Sequence, residues 1–271
     1  MSRQAIDRRQ FLTLPLALFL APLGLAPLGR ALAAAPVESY RAPYGVDVRL
    51  LYGVLTYHEE GTFTQSIDRS SGSYEAVVAG EGDGIAHRIE STGVLRQGRW
   101  VPIRSHSFFS VKGRESRGDI TYDAARGRVE YHFKGETFFL RRLRVVDDVL
   151  SIPPGLLIDD SISATLNYTD RLWKPGPDGS LVTHVVRRKM APDEGPDDVQ
   201  AHARAELVPF KLEVTVDAET QKPVAHFDLT RFSSWARQSQ PGLVTFGPDR
   251  RPEQLSLPLI LGTSVQIRLK A

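Results

Sequence analysis

Histidine is the side chain best suited to metal binding or proton transfer, and this 271-residue chain has seven. They are scattered along the sequence at His58, His87, His106, His132, His184, His202 and His226. None forms the His-x-x-x-His or His-Glu-x-x-His spacing that places two ligands on one helix face. His58-Glu59-Glu60 is the one local histidine–carboxylate cluster, and we interpret it as a turn. The spacing therefore predicts no metal site, unless one is assembled from distant strands, and it favours structural histidines.

Adjacent aspartates occur at three places: Asp147-Asp148, Asp159-Asp160 and Asp197-Asp198. Neighbouring residues of a strand point to opposite faces, so none of these pairs makes an acid–base pair by itself. We interpret Asp147-Asp148 as a turn and Asp159-Asp160 as the start of a helix. A hydrolase or a carbohydrate-active enzyme would need carboxylates that converge only in the fold.

Sequence motifs for common cofactors and nucleophiles are absent from the chain. It has no cysteine, no Gly-x-Ser-x-Gly elbow and no Gly-x-Gly-x-x-Gly, and Gly80–Gly84 lacks the Lys-Ser/Thr of a P-loop. The missing cysteines exclude disulfides, thiolate metal sites and lipid anchoring through an N-terminal cysteine. We therefore assign no catalytic residue, no cofactor and no metal ligand, and we lean towards a protein without enzymatic activity.

Aromatic residues gather between residues 105 and 140, with arginines between them. One interpretation is a packed core on one side of a sheet and solvated charge on the other. The other is a cavity for an apolar or amphipathic ligand on the concave side of a curled sheet. That hypothesis makes Phe108, Tyr131, Phe133 and Phe138 the candidate cavity lining. It requires Phe109 and Phe139 to point the other way, because side chains alternate along a strand.

The N-terminus contains the elements of an export signal. Arg8 and Arg9 are followed at fixed offsets by Phe11 and Leu12, which resembles the consensus of twin-arginine signals. Asp7 and Thr13 depart from that consensus. A general secretory signal with a chance arginine pair is the alternative.

An apolar run from Leu12 to Leu28 follows, but three prolines interrupt it, and we predict no membrane span. Ala31 and Ala33 provide the small-x-small pattern of a cleavage site, and we expect cleavage after Ala33. Residues 1–33 are thus predicted to be a cleaved signal peptide and residues 34–271 a single domain in the periplasm. Basic and acidic residues are nearly balanced in residues 34–271, which argues against nucleic-acid binding.

Period-two alternation dominates the predicted domain and indicates antiparallel strands. It begins with Val46, Val48 and Leu50, and residues 123–127 are the clearest hairpin turn. The predicted class is mainly β: a curled antiparallel sheet, an open or half barrel, of about a dozen strands with one or two short helices. Residues 34–44 are expected to be a polar lead, residues 191–198 a mobile acidic loop, and residues 231–258 irregular.

Helix signals are few. The better one starts at residues 159–161, where any of three side chains can cap the first turn, and continues through Ile162 and Leu166 on one face. Residues 84–90 are a second, shorter helix candidate.

Short motifs within residues 45–230 resemble a family of bacterial exported proteins of unknown function built on a curved antiparallel sheet. These motifs are a strand leading into a short apolar helix (residues 46–89), Gly98-Arg-Trp-Val-Pro102, a basic hairpin (residues 105–133), Ile152-Pro-Pro-Gly155, the helix from Asp159, and a late strand pair around residues 217–224. The architecture is also similar to the LolA-type half-barrels that carry lipoproteins through the periplasm. The resemblance implies a curved sheet and supplies no catalytic residues.

These observations favour an exported envelope protein that binds an apolar or amphipathic small molecule, or an envelope protein, on its curved sheet. During export its partner would be the twin-arginine translocase. The alternatives are the hydrolase described above and a structural component of an envelope assembly.

Overall fold

The computed structural model describes residues 36–137, 139–191, 194–195 and 197–270. The predicted signal peptide, with Arg8, Arg9, Phe11, Leu12, Ala31 and Ala33, lies outside the described residues, as does Phe138.

Antiparallel pairing organises the described chain into one sheet of fourteen strands. The strands are β1 (Glu38–Leu50), β2 (Leu55–Asp68), β3 (Ser73–Gly82), β4 (Ile85–Arg96), β5 (Arg99–Val111), β6 (Arg114–Asp123), β7 (Arg128–Glu136), β8 (Leu143–Ser151), β9 (Leu181–Arg188), β10 (Ala205–Val216), β11 (Pro223–Phe227), β12 (Gly242–Phe246), β13 (Pro252–Pro258) and β14 (Ser264–Leu269). The helix α1 (Ser161–Thr169) lies between β8 and β9 in the chain. The predicted mainly β class is therefore confirmed.

Pairing of β1 with β14 joins the two halves of the sheet. Strands β2–β8 extend from β1 on one side and β13–β9 extend from β14 on the other, so β8 and β9 are the two ends. The sheet curls until these ends approach each other, which nearly closes a barrel. Turns between successive strands alternate between two ends of the barrel, because each strand runs opposite to its neighbour.

Among the described residues, side-chain contacts connect β8, one end of the sheet, with the start of β10, which pairs with the end strand β9. Asp148 of β8 accepts hydrogen bonds from the Ala205 N–H and the Arg204 guanidinium, each at 2.9 Å, and from the Val149 N–H at 3.0 Å. Burial opposes ionisation of Asp148, but these three donors outweigh it and hold the pKa of this carboxyl below its ordinary value. We call this contact the seam. The interpretation of Asp147-Asp148 as a turn is wrong, since both residues lie within β8.

Helix α1 fills the barrel near the turns at residues 69–72 and 97–98, which define the helix end. Ile162 and Leu166 pack against the β2–β5 half of the sheet, and Ala164 and Tyr168 pack against the β10–β12 half. The predicted Ile162/Leu166 face is thus confirmed as buried, but the helix is buried on its other sides as well, as expected of a helix surrounded by a sheet. The turns at residues 83–84, 112–113 and 139–142 define the opposite end.

Asp160 is the residue that starts α1. Its carboxylate accepts from the Ile162 and Ser163 N–H groups at 3.0 and 2.7 Å, and the Ser163 hydroxyl accepts from the Asp160 N–H, which completes a capping box. The prediction of a helix start within residues 159–161 is confirmed. The hairpin turn at residues 123–127 is confirmed too, with Tyr122 opposite Val129.

Several predicted local elements differ from the structure. The predicted helix at residues 84–90 is wrong: residues 85–90 belong to strand β4, because β3 and β5 pair with them on both sides, and Gly84 lies in the turn before it. Residues 34–44 were predicted to be a polar lead, but strand β1 begins within them, at Glu38, and pairs with β2. Residues 231–258 contain β12 and β13, which complete the sheet. The short apolar helix that the family resemblance implied within residues 46–89 is also wrong.

The acidic segment is attached to the barrel where the structure describes it. The Glu194 side chain is buried and forms an ion pair with Arg188, and the Asp197 carboxylate accepts from the Phe139 and Leu140 N–H groups at 3.0 and 2.7 Å. Pro192, Asp193 and Pro196 lie outside the described residues.

Candidate functional site

A row of five residues crosses the inner face of the sheet towards the end opposite α1. Tyr44 lies directly opposite Gly61, Gly61 opposite Gly80, Gly80 opposite His87, and His87 opposite Phe109. Directly opposed residues of antiparallel strands project to the same face. The row shares that face with the core side chains that contact α1, so all five residues face the interior.

The two glycines make room for the Tyr44 ring. A Cβ on Gly61 would lie 2.3 Å from the Tyr44 ring, and a Cβ on Gly80 would lie 2.9 Å from its hydroxyl oxygen and 2.6 Å from Oε1 of Glu59. Only glycine leaves these positions open while the strands remain paired. The phenol therefore reaches from β1 across two strands to His87 on β4.

Glu59, His87 and Tyr44 form a buried polar chain. The His87 Nε2 atom lies 2.7 Å from the Tyr44 hydroxyl, and its Nδ1 atom lies 2.5 Å from Oε1 of Glu59. The three residues are 3%, 9% and 2% exposed, respectively. The contact between Nδ1 and Oε1 is close but lacks hydrogen-bond geometry, so the Tyr44 hydroxyl is the hydrogen-bond partner that the structure gives the His87 ring. Burial and then the Glu59 charge raise the pKa of Tyr44, so the phenol stays protonated and donates.

Phe109 completes the row and differs from its neighbours in exposure. Its ring stacks on His87 with a centroid distance of 5.6 Å and an interplanar angle of 19°. Although Phe109 lies on the inner face, 42% of it is exposed. The polar chain is therefore covered on one side by an aromatic ring that reaches solvent at this end of the sheet.

This arrangement suits binding better than hydrolysis. The hydroxyl on His87 belongs to a phenol with a raised pKa, and such a group is a poor nucleophile at neutral pH. Within the described part of the chain, no group of three or more histidine or acidic side chains could hold a metal ion. An aromatic surface beside a fixed hydrogen-bonding chain is a combination that orients a ligand.

The second carboxylate cluster lies at the helix end and supports the fold. Asp159 is fully buried and accepts from Thr183, Ser163 and Asn167 at 2.6, 3.1 and 3.0 Å, and it pairs with Arg99. Burial raises its pKa, and the Arg99 charge and these hydrogen bonds oppose that rise. Both carboxylate oxygens are occupied, so Asp159 anchors the segment before α1 and is not presented to a substrate.

The four residues of the predicted cavity do not share one face. Phe108 lies opposite Arg117 on β6, and the Arg117 guanidinium covers its ring at 5.4 Å. Phe108 therefore points outwards and Phe109 inwards, so the predicted orientation of these two side chains is wrong. The cause is the register of β5, which the aromatic residues alone do not reveal.

Tyr131 and Phe133 do lie on the inner face, but they pack in the core. Tyr131 is 7% exposed and belongs to a cluster with Val146 and Ala205, and Phe133 packs against that cluster. Phe139, beside the undescribed Phe138, is 53% exposed and stacks on Trp235 at 5.5 Å. Among the described residues, Phe109 is thus the aromatic ring that combines an inner position with exposure and contact to a polar chain.

Sequence reasoning missed the Glu59–His87–Tyr44 chain. Glu59 lies within β2 and not in a turn, and the Tyr44 and His87 side chains meet although 43 residues separate them. One local signal existed: Gly61 and Gly80 interrupt two strands, and an isolated glycine in a strand often marks the close approach of another group.

Comparison with known proteins finds similarity among solved structures. No family model matches the chain, and no curated protein matches it. The chain is similar to a solved structure, a β-barrel-like protein of a domain of unknown function, DUF1849, from Brucella abortus. The identity is 12%, the TM-score is 0.41, and the match covers 88% of this chain and 98% of the other. Separately, the described residues contain no helix that is both long and apolar enough to cross a membrane.

Proposed function

We propose that this protein is an exported envelope protein that binds an apolar or amphipathic ligand on the inner face of its sheet, at the end opposite α1. The observation that carries the proposal is the exposure of Phe109. An inner-face aromatic ring in a filled barrel would be buried like Tyr131, whereas Phe109 is 42% exposed.

The surroundings of Phe109 suit a ligand with both apolar and polar parts. Ser116 lies directly opposite Phe109, and Ser107 lies two residues before it on the same face. These small side chains leave space beside the ring. The Ser116 hydroxyl can donate a hydrogen bond, and the Ser107 hydroxyl, which donates to the Gly118 carbonyl oxygen at 3.4 Å, can accept one. The apolar part of the ligand would contact Phe109 and a polar group would contact the serines.

Export to the periplasm is the second part of the proposal. It is supported by Arg8, Arg9, Phe11 and Leu12 and by the cleavage pattern at Ala31 and Ala33. An envelope protein that occupies the same face is the alternative partner.

A pair of neighbouring phenylalanines offers a matched test. We expect the fluorescent probe 1-anilinonaphthalene-8-sulfonate to bind the folded protein and to bind Phe109→Ala about 5- to 30-fold more weakly, because roughly 1–2 kcal/mol of apolar contact is lost. Phe108→Ala, which removes the same ring from the outer face, should bind the probe like the wild type.

Urea unfolding first checks that both variants are as stable as the wild type. Titration with the probe then gives the affinity of each variant. Equal affinities for Phe109→Ala, Phe108→Ala and the wild type would refute the inner-face site. Absence of probe binding to the wild type would have the same consequence.

A further inference from the structure

Large apolar side chains are exposed in three turns at the end opposite α1. Tyr52 and Val54 lie in the turn at residues 51–54, Leu261 lies in the turn at residues 259–263, and Phe139 and Leu140 lie in the turn between β7 and β8. All five side chains are more than half exposed. The turns at the helix end that connect β2 to β3, β4 to β5 and β6 to β7 contain only serine, glycine, alanine, glutamine, aspartate and arginine. The two ends of the barrel therefore present different surfaces.

Contacts between these turns join the apolar side chains into one surface. The Tyr52 N–H donates to the Gly262 carbonyl oxygen at 3.1 Å, and the Tyr52 ring lies over Gly262, where a Cβ would be 2.6 Å from it. From the same turn, the Ile260 N–H donates to the Trp235 carbonyl oxygen at 2.8 Å, and the Trp235 ring stacks on Phe139. We call the surface formed by Tyr52, Val54, Phe139, Leu140 and Leu261 the apolar rim.

Two residues of the apolar rim have a backbone conformation that large side chains rarely adopt. The φ angles of Tyr52 and Leu261 are 60° and 56°, and each residue precedes a glycine with a positive φ. Glycine or asparagine adopts this conformation with less strain. Because both side chains are exposed, burial within this chain does not compensate for the strain. The combination points to a contact made outside the chain.

Basic residues accompany the apolar rim. Its three turns, together with the turns at residues 83–84 and 112–113, contain three basic residues and one acidic residue, Asp83, so positive charge predominates in them. The Asp83 carboxylate accepts from the His58 N–H at 2.7 Å. Lys112 and Arg142 in these turns, and Arg49 at the end of β1, are exposed and form no ion pair within the described part of the chain. These three cations are available to anionic groups.

We propose that the apolar rim docks onto the surface of a bilayer that contains anionic lipid. An exposed apolar patch with a polar border marks a contact with a protein or a membrane. Here the apolar side chains protrude from separate turns, and the cations beside them suit lipid phosphates, which attract lysine and arginine. The N–H and C=O groups of the turns need hydrogen-bond partners, which limits the rim to the headgroup region.

The docking goes beyond the ligand site around Phe109 and does not depend on it. Phe109 reaches solvent at the same end of the sheet, so docking would bring its ring close to the lipid surface. The turns and the cations are separate from that ring, and they can be tested with lipid alone.

A fluorophore on a single cysteine gives the direct test, because the chain has no cysteine of its own. Leu261→Cys places the environment-sensitive fluorophore NBD on the apolar rim, and Ala124→Cys places it in an exposed turn at the helix end. The labelled full chains are mixed with vesicles of phosphatidylcholine and phosphatidylglycerol. We expect the NBD emission to shift to shorter wavelength at position 261 and to stay unchanged at position 124. Both proteins carry the same residues 1–33, so the difference reports which end meets the lipid.

Variants of the labelled Leu261→Cys protein test the side chains of the rim. Tyr52→Asn introduces a residue that tolerates a positive φ, and it should require about 10-fold more lipid for half of the shift, as expected when one apolar side chain no longer enters the interface. Val54→Ser should act in the same direction and decides the matter if Tyr52→Asn fails to fold. Val216→Asn removes an exposed apolar side chain at the helix end and should leave the lipid dependence unchanged.

Charge is tested by the combined variant Arg49→Gln, Lys112→Gln and Arg142→Gln. On vesicles with phosphatidylglycerol it should behave as the unsubstituted labelled protein does on phosphatidylcholine alone. The proposal is overturned if position 261 shows no shift, if position 124 shows the same shift, or if neither Tyr52→Asn nor Val54→Ser changes the lipid dependence. A shift at position 261 that needs no lipid and grows with protein concentration would also overturn it and assign the rim to a second copy of the chain.

Discussion

Gly61→Ala tests whether the inner-face row of Tyr44, Gly61, Gly80 and His87 is packed as described. The added Cβ would lie 2.3 Å from the Tyr44 ring and 2.6 Å from the carbonyl oxygen of Ala79. Because one of these neighbours is backbone, the clash cannot be relieved by moving a flexible side chain alone. The Tyr44 ring must shift, and its hydrogen bond to His87, 2.7 Å long, is then lost.

Three contributions set the expected size of the effect. Overpacking of a well-packed interior costs roughly 1–3 kcal/mol. Separation of the buried phenol and imidazole leaves a polar group unsatisfied, at roughly 1–3 kcal/mol. Replacing a strand glycine by alanine returns roughly 0.5–1 kcal/mol through the lower entropy of the unfolded chain. The first two contributions outweigh the third, and we expect Gly61→Ala to lower the free energy of unfolding by about 1–5 kcal/mol.

Gly45→Ala is the matched control. Gly45 also lies in a strand without a positive φ, but the nearest atom to its Cβ would be Cε of Lys270 at 3.6 Å, an ordinary contact. Only the entropic contribution applies there, so this variant should be unchanged or more stable by up to about 1 kcal/mol. Urea unfolding followed by circular dichroism and tryptophan fluorescence measures both free energies. If Gly61→Ala proves as stable as Gly45→Ala, the described packing of Tyr44 over Gly61 is incorrect.

Three further predictions address the helix, the seam and the export signal. Leu166→Ala should lower the free energy of unfolding by roughly 2–5 kcal/mol, because Leu166 is 2% exposed. Ser161 is exposed, so Ser161→Ala should change this free energy by no more than about 0.5 kcal/mol. Equal losses in the two variants would argue against a buried helix. The native pKa of Asp148 lies below its unfolded value, so its contribution to stability is present above the unfolded pKa of about 3.9 and is lost as the pH falls through the native pKa. Urea unfolding should therefore show Asp148→Asn less stable than the wild type at pH 7 and a smaller difference in acid, and a difference independent of pH would contradict the seam. The double variant Arg8→Lys/Arg9→Lys should accumulate as precursor in the cytoplasm, which immunoblotting of cell fractions detects, whereas normal periplasmic accumulation would indicate the general secretory route.

Local features of the sequence were sufficient for the fold class and for the elements stabilised by local contacts. Alternation of apolar and polar residues predicts antiparallel strands because it follows from strand geometry alone. The hairpin at residues 123–127 and the helix start near Asp160 depend on contacts within a few residues, and both are confirmed. These predictions hold because the interactions that decide them are encoded within one short segment.

Elements whose conformation depends on neighbours were predicted poorly. The local sequence of residues 84–90 predicts a helix, yet pairing with β3 and β5 makes residues 85–90 a strand. Asp147 and Asp148 are typical turn residues, yet both lie within β8 because β7 pairs with them, and the Asp148 carboxylate accepts from the Ala205 N–H at the seam. Tertiary pairing overrides local preference at such positions.

The candidate site was decided by the tertiary structure. Shifting strand register by one residue exchanges the two faces of a strand, so the choice between Phe108 and Phe109 as the inward ring depends on the pairing of β5 with β4 and β6. The contact of Tyr44 with His87 likewise requires β1 to β4 to be aligned so that two glycines lie between them. The sequence by itself determined a curled β-sheet, an inner surface and an N-terminal segment with the features of an export signal. Which residues that surface presents depends on register and curvature, which arise only when distant strands pair.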